Sequence, residues 1–232
     1  MREIVFDTET TGLNPAGGDR MVEIGCVEMF NRVETGRHFH AYFNPERDMP
    51  YEAEMVHGLS TIFLSDKPLF TDKAAELLEF IEDAPMVAHN ASFDFGFLNF
   101  ELGRCGLHPV CTSRMVDTLT LARSKHPGAK HSLDALCMRF GIDRSHRVKH
   151  GALLDAQLLA QVYVELTGGR QIGLGLVAEA GTIDVQHGAG PVVTREPRPA
   201  RPHAAAVEEL ERHRAFIAKL VNPLWERFAS LH

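Results

Sequence analysis

Three strand-like segments near the start of the chain constrain its fold more than any other sequence feature. The segments EIVFDTE, MVEIGCVEMF and GRHFHAYFN are rich in β-branched and aromatic side chains, and the turn-like stretches NPAGGD and NRVETG separate them. Connections as short as these favour antiparallel neighbours in a sheet. The sequence therefore predicts that the chain begins with three antiparallel strands.

Helical segments alternate with short strands in the next part of the chain. Apolar residues recur at helical spacing from Phe70, MVAHN (86–90) is typical of a short buried strand, and FDFGFLNFELGRCG is typical of a helix that ends at Gly106. Further helices are predicted for SLDALCMRFG, which begins with a serine N-cap, and for ALLDAQLLAQVYVELTGG, which ends at its two glycines. This order of elements predicts an α/β domain with a mixed sheet.

The residue pattern changes in the last quarter of the chain. After about residue 177, the stretch GTIDVQHGAGPVVTREPRPARPHAAA has no apolar period and is typical of a flexible linker. Helical spacing returns where Leu210, Ile217 and Leu224 lie seven residues apart, and Pro223 must end or kink that helix. The predicted organisation is a domain at 1–170, a linker region at 171–204 and a C-terminal helical segment at 205–232.

Composition and charge exclude some functions. The chain opens with MRE, two of whose residues are charged, so we expect no signal peptide, and no apolar run approaches the roughly 18 residues that cross a bilayer. The four cysteines have no CxxC spacing, so we expect reduced, mostly buried thiols in a cytoplasmic protein that does not bind membranes. The formal net charge of −7 argues against tight unaided binding to nucleic acid, so such a substrate would require local positive charge, metal ions or a partner.

Two acidic residues end the first predicted strand. Asp7 and Glu9 are two positions apart, so they project from the same face and repel one another unless a positive charge lies between them. A solvated strand end is the alternative explanation. The apolar residues Ile4, Val5 and Phe6 favour a buried strand instead.

Three further residues extend this acidic set. Asp94 starts a predicted helix after a short strand, where it could also serve only as a helix cap, and His150 precedes the helix that carries Asp155, where it could be an ordinary loop histidine. The apolar neighbours of Asp155 make a lone carboxylate costly there. Four carboxylates and one histidine suit Mg²⁺ or Mn²⁺ better than zinc, and two such ions serve phosphoryl displacement while the histidine accepts a proton from water.

The motifs FDTETTG, HNASFD and HGALLDA resemble the three motifs of the DEDD superfamily of 3′–5′ exonucleases, in the variant with histidine in the last motif. The segments MVEIGCVEM, VHGL, DKPLF and SLDALCMRFGID extend the likeness to the proofreading exonucleases of bacterial replicative polymerases, nearly continuously over residues 3 to about 170. The resemblance implies a ribonuclease H-like mixed sheet flanked by helices. It also implies hydrolysis of the 3′-terminal phosphodiester of mispaired DNA.

The resemblance assigns roles to the acidic set. Asp7, Glu9 and Asp155 would hold one divalent ion and contact the substrate. Asp7 and Asp94 would serve the second ion, and His150 would be the general base.

Residues in YEAEMVHG complete the implied substrate site. Glu52 and His57 match positions that contact the terminal nucleotide, although an exposed loop acid and a packed loop histidine are simpler interpretations. Phe93 or Met55 would stack on bases, if they are not simply core residues.

The resemblance implies protein partners as well. The segment 171–176 has a Gln-x-x-Leu-x-Leu pattern similar to bacterial clamp-binding motifs, although chance or loop packing would also explain it. The C-terminal segment would bind the catalytic subunit of the polymerase, and the sequence leaves a small accessory subunit open. The residues assigned to these contacts are Gln171, Leu174 and Leu176 for the clamp, and Leu210, Ile217, Leu224 and Trp225 for the polymerase.

Two other functions compete with proofreading. A stand-alone exoribonuclease of the same superfamily would share the fold and motifs, but it has no evident need for the C-terminal linker and helix. A non-catalytic scaffold that joins polymerase parts would have no reason to carry mutually repelling carboxylates.

Overall fold

The computed structural model describes residues 1–145, 147, 149–169 and 205–220. The chain divides into two units, Met1–Ala178 and Glu179–His232. The predicted linker and clamp segment, with Gln171, Leu174 and Leu176, lie outside the described residues, so the predicted boundaries stay predictions.

The first unit contains a mixed five-stranded sheet with the strand order β3-β2-β1-β4-β5. The strands are β1 (Arg2–Thr10), β2 (Met21–Phe30), β3 (Val33–Tyr42), β4 (Met86–Ala88) and β5 (Met115–Asp117). The first three pair in antiparallel fashion, as predicted, whereas β4 runs parallel to β1 and to β5. Because β1 is central, both of its edges are hydrogen-bonded and both of its faces are covered.

The turn between β2 and β3 is shorter than predicted. We expected NRVETG to form the turn, but β3 already begins at Val33 and pairs there with Phe30. Only Asn31 and Arg32 form the turn, and both have positive φ angles, of 50° and 65°. A two-residue hairpin turn needs this backbone conformation because it matches the twist of the strands.

Helices cover the sheet. In the described part of the first unit they are α1 (Tyr51–His57), α2 (Thr61–Leu64), α3 (Phe70–Ile81), α4 (Ala91–Arg104), α5 (Thr118–Lys125), α6 (Leu133–Phe140) and α7 (Ala152–Leu166). The predictions that correspond to α3, α4, α6 and α7 are confirmed. The helix α4 starts at Ala91, ahead of the predicted segment, and the sequence did not indicate α1, α2 or α5, which are only four to eight residues long.

The alternation of β1 separates two hydrophobic layers. Ile4 and Phe6 pack into the core that α3 and α4 share, whereas Val5 packs with Leu159 of α7. Residues two apart on a strand share a face. Asp7 and Glu9 therefore lie on the face that α7 covers, and Thr8 lies on the face that α4 covers.

The second unit is described at 205–220 and contains helix α8, Val207–Ile217. This helix confirms the start of the predicted C-terminal helix, and Leu210 on it is 44% exposed. Pro223, Leu224 and Trp225 lie outside the described residues.

The expectation of mostly buried thiols holds for half of the cysteines. All four cysteines are free, but only Cys26 and Cys137 are buried, whereas Cys105 is half-buried and Cys111 is exposed. No helix in the described ranges has both the length and the apolar character that crossing a bilayer requires.

Gly25 allows α7 to lie directly on β2, and we predict that Gly25→Ala destabilises the protein by at least about 1–3 kcal/mol. A Cβ atom on Gly25 would lie 2.3 Å from the backbone N and Cα of Leu153, which cannot move without shifting the helix. Urea unfolding in EDTA measures the effect. Gly96→Ala in α4 is the matched control: Gly96 is exposed, a Cβ there would meet nothing within 4 Å, and alanine in place of glycine should stabilise the helix by about 0.5–1 kcal/mol. An unchanged urea midpoint for Gly25→Ala would contradict the close contact.

Candidate active site

The predicted acidic residues come together at the carboxyl end of the central strand β1. Asp7 and Glu9 lie in the second half of β1, and Asp94 and Asp155 each occupy the first turn of a helix, α4 and α7. The strand β4 runs parallel to β1, so α4 begins beside the carboxyl end of β1. Gly25 pairs with Asp7, and the start of α7 packs on Gly25, which brings the α7 turn to the same place.

Two of these acidic side chains form a cluster of potential metal ligands with His150. Glu9, His150 and Asp155 each offer one ligand atom, and these atoms lie within 4.8 Å of one another. Glu9 and Asp155 are buried, and the His150 side chain is 47% exposed. The cluster is therefore open to solvent on its histidine side.

Asp94 joins the site through Thr8 of β1. The Thr8 hydroxyl donates a hydrogen bond of 2.8 Å to Asp94 Oδ1, and Asp94 is buried. The N-cap of α4 is Asn90, so the simpler interpretation of Asp94 as the helix cap is wrong. Thr8 itself was not singled out from the sequence, although alternation on β1 indicates that it faces α4.

Burial and mutual repulsion disfavour the negative charges of the cluster. Burial raises the pKa of Asp7 well above its ordinary value, and the charges of Asp94, Glu9 and Asp155 raise it further. Burial also raises the pKa of Glu9 to about 8 and that of Asp94 to about 7. A bound cation would reverse these shifts, because it stabilises the ionised carboxylates.

One carboxylate oxygen in the cluster lacks a partner. Glu9 Oε1 is buried and accepts no hydrogen bond from the described residues. A buried acceptor of this kind normally has a hydrogen-bond donor or a cation beside it. The orphaned oxygen and the all-oxygen character of the carboxylates fit a hard divalent ion such as Mg²⁺ or Mn²⁺.

Arg147 is the main site residue that sequence reasoning missed. Its Nε and Nη2 atoms donate to the two oxygens of Asp155 at 2.5 and 2.6 Å, and its Nη1 atom donates to Asp134 Oδ1 at 2.9 Å. Burial alone would raise the pKa of Asp155, but the hydrogen bonds from Arg147 and His150 lower it. The basic stretch RSHRVK, directly before His150, could have indicated a functional arginine, because an acidic chain that binds nucleic acid needs local positive charge.

The two residues predicted to contact the terminal nucleotide line a pocket beside the cluster. It has a volume of ≈ 450 Å³, and its lining includes Glu9, Glu52, His57 and Phe93. Glu52 is exposed on α1, whereas His57 is buried, and its Nδ1 atom accepts a hydrogen bond of 3.0 Å from the Leu59 amide.

The two candidate stacking residues differ in their positions. Phe93 lines the pocket beside the cluster. His57 lines the same pocket, and its Nε2 atom has no hydrogen-bond partner in the described structure. Met55 is 56% exposed on α1 and does not line this pocket. Of the two, only Phe93 faces the space beside the cluster.

We predict that the metal-free protein loses stability as the pH rises from about 5 to 8. The folded state retains a proton on Glu9 up to about pH 8, whereas the unfolded chain releases it near 4.5, so Glu9 destabilises the folded state increasingly over this interval. Urea unfolding at several pH values in EDTA measures the slope, which Glu9→Gln should flatten. Glu52→Gln, on the exposed surface of α1, should leave the slope unchanged. Equal slopes in wild type and Glu9→Gln would refute the assignment.

A mixed sheet with a carboxylate cluster at the end of its central strand suits metal-dependent phosphoryl transfer, a class of chemistry that includes nucleases. The family model described as Exonuclease matches residues 4–163. The fold resembles exonuclease X in complex with 5′-overhanging duplex DNA, with a TM-score of 0.56 and 24% identity over 71% of this chain and 90% of that one. It also resembles E. coli exonuclease I in complex with a dT13 oligonucleotide, with a TM-score of 0.62 and 18% identity over 72% of this chain and 40% of that one. The predicted ribonuclease H-like fold is confirmed.

Similarity in sequence is higher to the epsilon subunits of DNA polymerase III. The chain is 49% identical over 230 residues to that subunit from Rickettsia felis, with 96% of this chain and 98% of the relative covered. It is 43% identical over 223 residues to that of Escherichia coli K12, with 92% and 91% covered. The chain belongs to the exonuclease family and, within it, to the DNA polymerase III epsilon subunits. The predictions of a metal-dependent exonuclease and of a proofreading subunit are confirmed at the level of enzyme class and family.

Proposed function

We propose that this chain removes mispaired nucleotides from the 3′ end of DNA by hydrolysing the terminal phosphodiester, with a deoxynucleoside 5′-monophosphate as the product. The observation that carries this proposal is the grouping of buried Glu9 and Asp155 with exposed His150, beside the buried carboxylate of Asp94. The family supports it, because epsilon subunits are polymerase subunits by name and this chain aligns with one along 96% of its length.

The carboxylates would hold two divalent ions. Asp7, Glu9 and Asp155 would hold one ion, and Asp7 and Asp94 would hold the other. When bound, Mg²⁺ or Mn²⁺ ions supply positive charge to the attacking and leaving oxygens of the phosphodiester. The burial of the site supports this role, because electrostatic stabilisation is stronger where water is excluded.

His150 would accept the proton of the attacking water. Its ring lies at the open side of the cluster, and Nδ1 is 3.2 Å from Asp155 Oδ2 and 2.8 Å from Arg147 Nη2. These contacts hold the imidazole next to the carboxylates, where a general base must reach the nucleophile.

The pocket lined by Glu52, His57 and Phe93 would receive the terminal nucleotide. Glu52 and the free Nε2 of His57 provide polar contacts, and Phe93 provides a surface for stacking. A mispaired end unstacks at lower cost than a paired one, so single-strand access alone would select mismatches.

A nuclease assay tests this function. Strands of DNA and RNA with a 5′ label, alone and in duplexes with paired or mispaired 3′ ends, are incubated with and without Mg²⁺. We expect Mg²⁺-dependent shortening of DNA from the 3′ end, faster at mispaired ends. Preference for RNA would favour the exoribonuclease alternative, and no hydrolysis of any strand would favour the scaffold.

The C-terminal segment would attach the exonuclease to the catalytic subunit of the polymerase in the bacterial cytoplasm. The helix α8 supports this role, because Leu210 and Phe216 on it are 44% and 58% exposed. Ile217, Leu224 and Trp225 would extend the contact, and segment 171–176 would bind the sliding clamp. A small accessory subunit would be a further partner.

Deletion of residues 205–232 tests the attachment. The truncated chain should lose co-purification with the polymerase but retain nuclease activity. Gln171→Ala combined with Leu174→Ala should weaken clamp binding only. Full polymerase affinity in the truncated chain would place the interface on the exonuclease domain instead.

A further inference from the structure

Both oxygens of the Asp155 carboxylate accept hydrogen bonds from Arg147. The guanidinium donates one hydrogen bond to each carboxylate oxygen, at 2.5 and 2.6 Å, and the side chains of Arg147 and Asp155 are 8% and 3% exposed. Charge-assisted pairs of this bidentate kind are strong and directional. Arg147 therefore supplies a cation to one side of the acidic cluster.

The same cluster has an unsatisfied side. Glu9 Oε1 is buried without a hydrogen-bond partner in the described structure, although a ligand atom of Glu9 lies within 4.8 Å of one on Asp155. Arg147 thus neutralises Asp155 but leaves Glu9 uncompensated. A divalent ion that binds Glu9 and Asp155 together would satisfy both, but it requires an Asp155 oxygen that Arg147 now occupies.

We infer that Arg147 is a positioning residue that acts as the counter-ion of Asp155 before metal binds and leaves the Asp155 oxygens when a divalent ion arrives. The inference depends on the proposed function, because it takes Asp155 as a metal ligand. In the metal-free protein, Arg147 holds Asp155 and also contacts His150, at 2.8 Å from Nδ1. The two residues that the reaction needs are therefore kept together without metal.

Asp134 provides a place for the displaced guanidinium. Arg147 Nη1 donates to Asp134 Oδ1 at 2.9 Å, and the Asp134 side chain is 43% exposed. Both residues line an open pocket of ≈ 470 Å³ together with Arg144 and Lys149. A small rotation of the Arg147 side chain within this pocket releases Asp155 while the contact with Asp134 persists.

Arginine NMR on the full-length wild-type chain tests the displacement directly. The Nε–H signal of Arg147, identified by its absence in Arg147→Lys, should be protected from solvent exchange in EDTA, because Nε donates to a buried oxygen. Saturation with Mg²⁺ should shift this signal and remove its protection. The displacement is measured on the wild-type chain, and Arg147→Lys serves only to assign the signal.

Metal affinity provides the second readout. Arg147→Met should tighten Mg²⁺ binding, measured calorimetrically, by about 10–100-fold, since linked binding equilibria commonly couple by this much. Arg144→Met is the matched control: it removes the same charge from the same loop and the same Asp134 oxygen, but Arg144 is not a hydrogen-bond partner of Asp155. Its effect should stay below about fivefold.

The outcomes separate this inference from the proposed function. Mg²⁺ binding that leaves the Arg147 signal protected, or equal affinity changes in the two variants, would overturn the displacement and leave the metal-dependent nuclease standing. A wild-type chain that binds no Mg²⁺ would overturn both.

Discussion

Asp7→Ala should abolish the Mg²⁺-dependent hydrolysis of a 3′ end and leave the fold intact. Asp7 is the carboxylate assigned to both ions, and its pKa is raised by burial first and then by three neighbouring cluster carboxylates. The raised pKa means that ionised Asp7 destabilises the metal-free folded state at neutral pH. We therefore expect the variant, in EDTA at about pH 7, to unfold at a higher temperature than the wild type.

Asp155→Ala is the informative comparison. It should abolish hydrolysis equally, but its effect on stability should have the opposite sign, because Asp155 is paired with buried Arg147 and its pKa is lowered. Removal of one partner from a buried ion pair costs as much as about 3–5 kcal/mol. The Asp134 contact of Arg147 should reduce that cost.

Two measurements decide this prediction. A labelled-strand assay with Mg²⁺ gives the rate, and thermal unfolding in EDTA gives the sign of the stability change for each variant. A near-normal rate for Asp7→Ala would show that the two-ion assignment is wrong. Destabilisation by both variants would show that Asp7 has a stabilising partner.

The core of the fold was predictable because its signals are local. Alternation on β1 and short connections define the antiparallel strands, and the helical spacing from Phe70 defines α3. The helices α1 and α2 were missed, because seven and four residues are too few to show a helical period. The early start of β3 was missed because neither Asn31 nor Arg32 is a glycine, although both adopt positive φ angles.

The site was predictable where apolar neighbours make an acid unusual. Glu9 and Asp155 stood out for this reason, and the structure brings them together with His150. The role of Arg147 depends on which carboxylate its side chain pairs with. The pairing with Asp155 is a tertiary contact that no spacing in the sequence indicates. The family resemblance could not supply it either, since Arg147 lies between the segment SLDALCMRFGID, which ends at Asp143, and the third motif, which begins at His150.

His150→Ala should lower kcat by about 10²–10⁴-fold, which is the usual contribution of a general base. The reason is positional: His150 is the exposed member of the cluster, and it contacts Asp155 at 3.2 Å. Steady-state hydrolysis of a labelled DNA strand measures the effect. His38→Ala, at an exposed position of the edge strand β3, is the control and should retain the wild-type rate.

Metal affinity distinguishes the two roles that the geometry allows His150. As a base, it contributes nothing to metal binding, so calorimetry should give His150→Ala nearly the wild-type affinity for Mg²⁺. As a third ligand beside Glu9 and Asp155, its loss should weaken binding. Oxygen ligands are preferred by Mg²⁺, which favours the base.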